Sequence, residues 1–168
     1  MFKKIVLTLC LLLPMMAFAQ EFGYFNRNEV FQSMPETQEA IKKLDQLAKT
    51  LEDELLMLRT EYQKKGSDFV AQRDSLPESI RVRRMTEIQE LEQRIQAFYQ
   101  SSQEDLNKKE QELIQPINEK LVAAVKAVGD EQGLVYIFDI STPSTLMYYS
   151  PSKCKDVTAA IRTKLGLK

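Results

Sequence analysis

Between residues 36 and 115 the apolar side chains recur with a helical spacing. Ile41, Leu44, Ala48, Leu51, Leu55, Leu58 and Tyr62 follow one another at steps of 3, 4, 3, 4, 3 and 4, and Phe69 continues the series after a gap at Lys65. This is a heptad seam, and it predicts a long helix that buries one stripe against another helix. A turnaround follows over Arg73–Glu78. Pro77 suits the first turn of a new helix and keeps Leu76 out of helical geometry. Ile88, Leu91, Ile95 and Phe98 then resume steps of 3, 4 and 3. The series slips through Ser101-Ser102 and goes on at Leu106, Leu113, Ile117, Leu121, Ala124 and Val128. Together these runs predict an antiparallel helical hairpin, a coiled-coil arm over residues 36–115, closed near residue 76. At about 1.5 Å per residue each limb reaches on the order of 60 Å. Pro116 predicts a bend in the second limb, because an interior proline costs about 3 kcal/mol of helix.

The pattern changes at both ends. Residues 20–35 hold a short strand, Phe22–Asn26, and a brief helix through Val30, Phe31 and Met34 that Asn26 or Asn28 can cap. Residues 116–168 hold two further strands, Leu134–Asp139 and Thr145–Tyr149, joined by residues 140–144. A final helix starts near Ser152 or Asp156 and carries Val157, Ala160, Ile161 and Leu165 along one face. The fold class is therefore α+β and mostly α, with a long hairpin on a small β body made from both chain ends.

The two later strands are continuously apolar, as strands covered on both faces are. The two ends supply too little chain to cover them, and a body that small is marginal alone. The sheet is expected to be completed by other copies of the chain. The shared core would hold Phe22, Tyr24, Val135, Ile137, Met147 and Tyr149.

Residues 1–19 read as an address. Lys3 and Lys4 precede an apolar run from Ile5 to Ala17, and Ala17-Phe18-Ala19 is a small-x-small cleavage signal, so cleavage is expected after Ala19. The run is about 14 residues, short of the roughly 20 that span a bilayer. Cleavage leaves Cys154 as the single cysteine, so no disulfide within the chain can brace the fold.

With 23 basic against 24 acidic residues the chain lacks the basic excess of a nucleic-acid binder. It has no His, which removes the commonest general base and metal ligand. It has no phosphate-binding glycine loop, no CxxC and no HExxH, so neither catalysis, metal nor cofactor is called for, and any work on a partner is independent of ATP. The carboxylates Glu52-Asp53-Glu54 and Glu87, Glu90 and Glu92 read as solvated helix faces. What remains is surface. Leu47, Leu56, Met57, Val70, Val82, Met85 and Tyr99 fall off the seams and are candidates for weak, adaptable contact with a client chain. Lys64, Lys65, Arg73, Arg81, Arg83 and Arg84 give the arm tip a locally basic character, open to weak contact with an anionic lipid surface.

The stretches GYFNRNEVFQSM (Gly23–Met34) and GLVYIFDISTPSTLMYYSPSKCKDVTAAI (Gly133–Ile161), with the secretory signal and the charged hairpin between them, resemble the Skp/OmpH family of periplasmic chaperones. The resemblance implies a homotrimer with a small β body and three hairpin arms around a cavity. It implies a periplasmic holdase that keeps unfolded outer-membrane β-barrel proteins from aggregating. A structural or adaptor protein, whose hairpin docks on a folded envelope partner, is the alternative.

Overall fold

The computed structural model describes residues 21–142 and 146–167; the expected leader with its expected cleavage after Ala19, and Thr145 of the expected third strand, lie outside them. The chain divides into two compact units. One takes the chain up to Arg27 together with Ala124–Gly166, and the other takes Asn28–Ala123.

The first unit is a three-stranded parallel sheet with a short helix. β1 (Glu21–Phe25) lies in the middle, β2 (Leu134–Asp139) on one side and β3 (Lys155–Asp156) on the other. Phe22 stands beside Tyr136, Gly23 beside Ile137 and Tyr24 beside Phe138. Past β3 the ladder is extended by the Val157 amide, which donates to the Tyr24 carbonyl at 2.9 Å. Gly23 meets a packing demand, since a Cβ there would lie 2.9 Å from Leu134 Cδ1. Helix α4 (Thr158–Lys164) starts where the Thr158 amide donates to Asp156 Oδ1 at 2.9 Å, and it buries Ile161 with the adjacent Val157. Gly133, at φ +66°, takes the left-handed turn that leads into β2.

Here the third strand differs from the sequence expectation. Leu146–Tyr149 forms no strand, and the third strand of the sheet is Lys155–Asp156, paired with β1. Apolar composition alone does not pair the segment: Tyr149 sets its ring 4.9 Å from Tyr24, and Lys155–Asp156 takes the open edge of β1. A strand exists through its partner more than through its own propensity. Met147 and Tyr148 are left almost fully exposed.

The second unit contains the arm. Helix α1 (Arg27–Ser33) follows Asn26 directly, with Asn28 inside it. Helix α2 (Pro35–Gln72) starts with proline in its first turn. A 3-10 turn (Arg73–Ser75) and the Leu76-Pro77 pair reverse the chain into helix α3 (Glu78–Gln132). Pro116 sits inside α3 without ending it.

The buried stripe on α2 differs from the strict heptad in its first turns. Ala40 is buried and Leu47 half-buried, whereas Ile41 and Ala48 are exposed. Stepping back from buried Leu58 by 3.6 residues rather than 3.5 lands on Leu51, Leu47, Leu44 and Ala40. The helix keeps its own period and the seven-residue count drifts off it by ~20° per heptad. On α3 the slip disappears. Ser102 is buried and Lys109 half-buried, and they fill the stripe positions that a count of apolar residues passes over.

Candidate functional site

Among the described residues no group of His, Cys, Asp or Glu is arranged to hold a metal ion, and no helix is long and apolar enough to cross a membrane. Cys154 is a free, half-buried thiol. The candidate sites are two surfaces, one on the arm and one on the sheet.

The arm has two unlike sides. Three polar ties join α2 to α3. Lys120 Nζ donates to Glu36 Oε1, Lys65 Nζ stands 3.7 Å from Glu87 Oε2, and Arg84 Nη1 donates to Gln72 Oε1 at 2.8 Å. Moving from Glu36 to Gln72 on α2 moves the partner from Lys120 to Arg84, equally far in the opposite direction, as an antiparallel pair requires. The hydrogen bond from Lys120 holds the Glu36 carboxyl below its ordinary pKa. Two clefts lie along the same ties, one lined by Lys65, Asp68, Gln72, Arg84, Glu87 and Ile88, the other floored by Ala40, Leu113, Pro116 and Ile117.

Rotation by about 100° per residue places Glu36, Lys65 and Gln72 on one flank of the α2 seam, and Glu87 and Lys120 on the facing flank of α3. The same count places Ile41 and Val70 on the other flank of α2, with Leu56 at its outer edge, and Met85 and Tyr99 on the other flank of α3. Because the helices run in opposite directions, those two flanks open to the same side of the hairpin. All five side chains are exposed.

The predicted contact residues therefore separate. Leu56, Val70, Met85 and Tyr99 share the untied side. Leu47 is half-buried in the stripe itself, Val82 points away from the partner helix, and Met57 turns toward the tied side. Ile41, counted in the seam from sequence, joins the exposed set. Most of the basic tip is engaged internally. Lys65 lies between Glu61 and Glu87, Arg81 pairs with Glu78 at 3.1 Å, Arg83 pairs with Glu87 at 3.5 Å, and Arg84 reaches Gln72. Lys64 and Arg73 are exposed.

On the sheet, Phe22, Tyr136 and Phe138 stack in one cluster, with ring centroids 6.0 to 6.2 Å apart. Tyr24 and Tyr149 meet at 4.9 Å. Burial pushes the Tyr24 phenol above its ordinary pKa, and Asp156, Tyr149 and Cys154 push in the same direction. Tyr136 is 61 % exposed although it sits mid-strand in this cluster.

A family model described as "Outer membrane protein (OmpH-like)" matches residues 21–165. The chain belongs to the OmpH-like family. Among solved structures, the OmpH-like fold is shared with a Caulobacter crescentus CB15 protein assigned as an OmpH-like outer membrane chaperone. That likeness has a TM-score of 0.70 at 17% identity, over 86% of this chain and 82% of that one. No curated protein matches this OmpH-like chain closely enough to count.

The expected oligomer core takes Phe22 and Tyr24 from β1, Val135 and Ile137 from β2, and Met147 and Tyr149. The structure builds the ring cluster from the other parity, Tyr136 and Phe138 with Phe22. Ile137 instead turns toward α3, where its Cδ1 lies 3.4 Å from the position of a Cβ on Gly129. The signal was present in the sequence, since Phe22 and Tyr24 are aromatic at a two-residue interval and so are Tyr136 and Phe138. A continuously apolar strand gives no parity to choose by, and the register of a parallel pair supplied it.

Proposed function

We propose that the protein is an ATP-independent periplasmic holdase that binds unfolded outer-membrane β-barrel proteins in a cavity between the arms of a homotrimer. Membership of the OmpH-like family supports a chaperone role in the periplasm in general. The observation that carries the finer reading is the exposed apolar set on the arm, from Ile41 at 43 % to Val70 at 76 % exposed. An arm that docked tightly on one folded partner would need a continuous apolar patch or a matched charge pattern. Isolated apolar side chains set among charges suit a client that moves and leaves, because each contact is weak and Met adapts to varied partners.

The open aromatic cluster on the sheet supports the trimer. Phe22, Tyr136 and Phe138 present ring surface that a second copy would cover. Exposed Met147 and Tyr148 lie in the same unit and would be covered with them.

The test is suppression of aggregation. An unfolded β-barrel protein is diluted from urea with and without the purified protein, in the absence of ATP, and light scattering is followed. Suppression at about one trimer per client is expected. Unchanged scattering at threefold excess overturns the proposal.

A further inference from the structure

We infer that each arm holds its client on one side only, the untied side, at three stations spaced along the hairpin. This rests on the holdase reading and adds the face and the form of chain it takes. Ile41 is the first station, Leu56 with Tyr99 the second, and Val70 with Met85 the third. The antiparallel pairing set by Glu36–Lys120 and Gln72–Arg84 puts the two members of each later station at one level. Successive stations lie about 14 or 15 residues apart on α2, on the order of 22 Å.

That spacing selects the occupant. A folded partner needs about 800 Å² of continuous surface per side, and three separated one- or two-residue stations do not supply it. A second copy of the chain fails for the same reason. An extended unfolded segment advances about 3.3 Å per residue, so six or seven residues bridge neighbouring stations and the chain between them stays solvated. The tied side carries a single exposed large apolar side chain, Met57, and one apolar-floored cleft beside Glu36 and Lys120, not a series of stations. Its ties hold Glu36, Lys65 and Glu87 in pairs, and an apolar segment laid there would strip water from charges without replacing it.

Single benzophenone side chains placed at Leu56, Val70 and Tyr99, and separately at Glu54, Glu61 and Met57, test the inference. Helical circular dichroism checks that each variant folds. A urea-unfolded β-barrel protein is the probe, and cross-link yield is read after irradiation. Yields at least fivefold higher from the first three positions are expected, together with about tenfold weaker client binding in Leu56→Ser/Val70→Ser/Tyr99→Ser. Equal yields from both sides, or higher yields from Glu54, Glu61 and Met57, overturn the one-sided arrangement while leaving the holdase reading intact. Wild-type protein that binds no client removes that reading and this one with it.

Discussion

The Lys120 ammonium donates a hydrogen bond to the Glu36 carboxylate at the end of the hairpin opposite the turn, so the two limbs are tied where their stripes also close on Ala40 and Ile117. The pair is nearly half exposed on both sides, which limits its worth to about 0–1 kcal/mol. Its pH dependence has a definite sign. The folded carboxyl titrates below its ordinary 4.5, so the contribution is complete above that range and is lost as pH falls through the lowered value. Glu36→Gln is expected to cost at most about 1 kcal/mol near pH 7, and the deficit should shrink in acid as the carboxyl protonates through its lowered pKa. Urea unfolding at neutral and at acid pH checks this, and a deficit unchanged at acid pH would contradict it.

Ser102 predicts a gain from mutation. Its hydroxyl is buried in the α3 stripe with no hydrogen-bond partner among the described residues. A buried unsatisfied hydroxyl costs about 1–3 kcal/mol, and Ala is also the better helix former by a few tenths. Ser102→Ala is expected to raise stability by about 1 kcal/mol, read as a higher urea midpoint at unchanged slope. A lower midpoint would mean the hydroxyl is satisfied in solution.

Gly23→Ala tests the sheet. The added methyl would come within 2.9 Å of Leu134 Cδ1, the end of a movable side chain, within 3.3 Å of the Ile137 Cγ1 methylene, and within 3.5 Å of the Lys155 carbonyl oxygen. Overpacking of this kind costs about 1–3 kcal/mol. Thermal unfolding is expected to show that loss, and an unchanged midpoint would place Leu134 elsewhere.

The hairpin was legible because a long helix pair writes its period many times over. Even so, the seven-residue series running back from Leu55 takes in Ala48 and Ile41, which are exposed, whereas the helical period finds Leu47 and Ala40. Ser102 and Lys109 were invisible for another reason, as polar residues standing in positions the geometry buries or half-buries. The sheet was harder still. The apolar run at 146–149 reads as a strand and pairs with none, whereas two polar residues, Lys155-Asp156, make a strand by position alone. The two sides of the arm follow from pairings between residues far apart in sequence, and no local pattern carries them.

The aromatic cluster sets the prediction for assembly. Tyr136→Ser removes one stacked ring from Phe22 and Phe138 and leaves the buried residues of the unit, Phe25, Val157 and Ile161, in place. The isolated fold should survive, while the proposed trimer should weaken by about 3 kcal/mol per interface, the order of a large aromatic lost from a packed site. Sedimentation equilibrium of the variant beside the wild type reads it. Equal association of the two would move the interface elsewhere.

The most direct measurement is the solution mass of the chain from Gln20 onward, at micromolar concentration, alone and with one urea-unfolded β-barrel protein. The account predicts three protomers alone and three protomers with a single client after mixing, without nucleotide. A monomer at that concentration, or a trimer whose mass does not rise when the client is present, would contradict it.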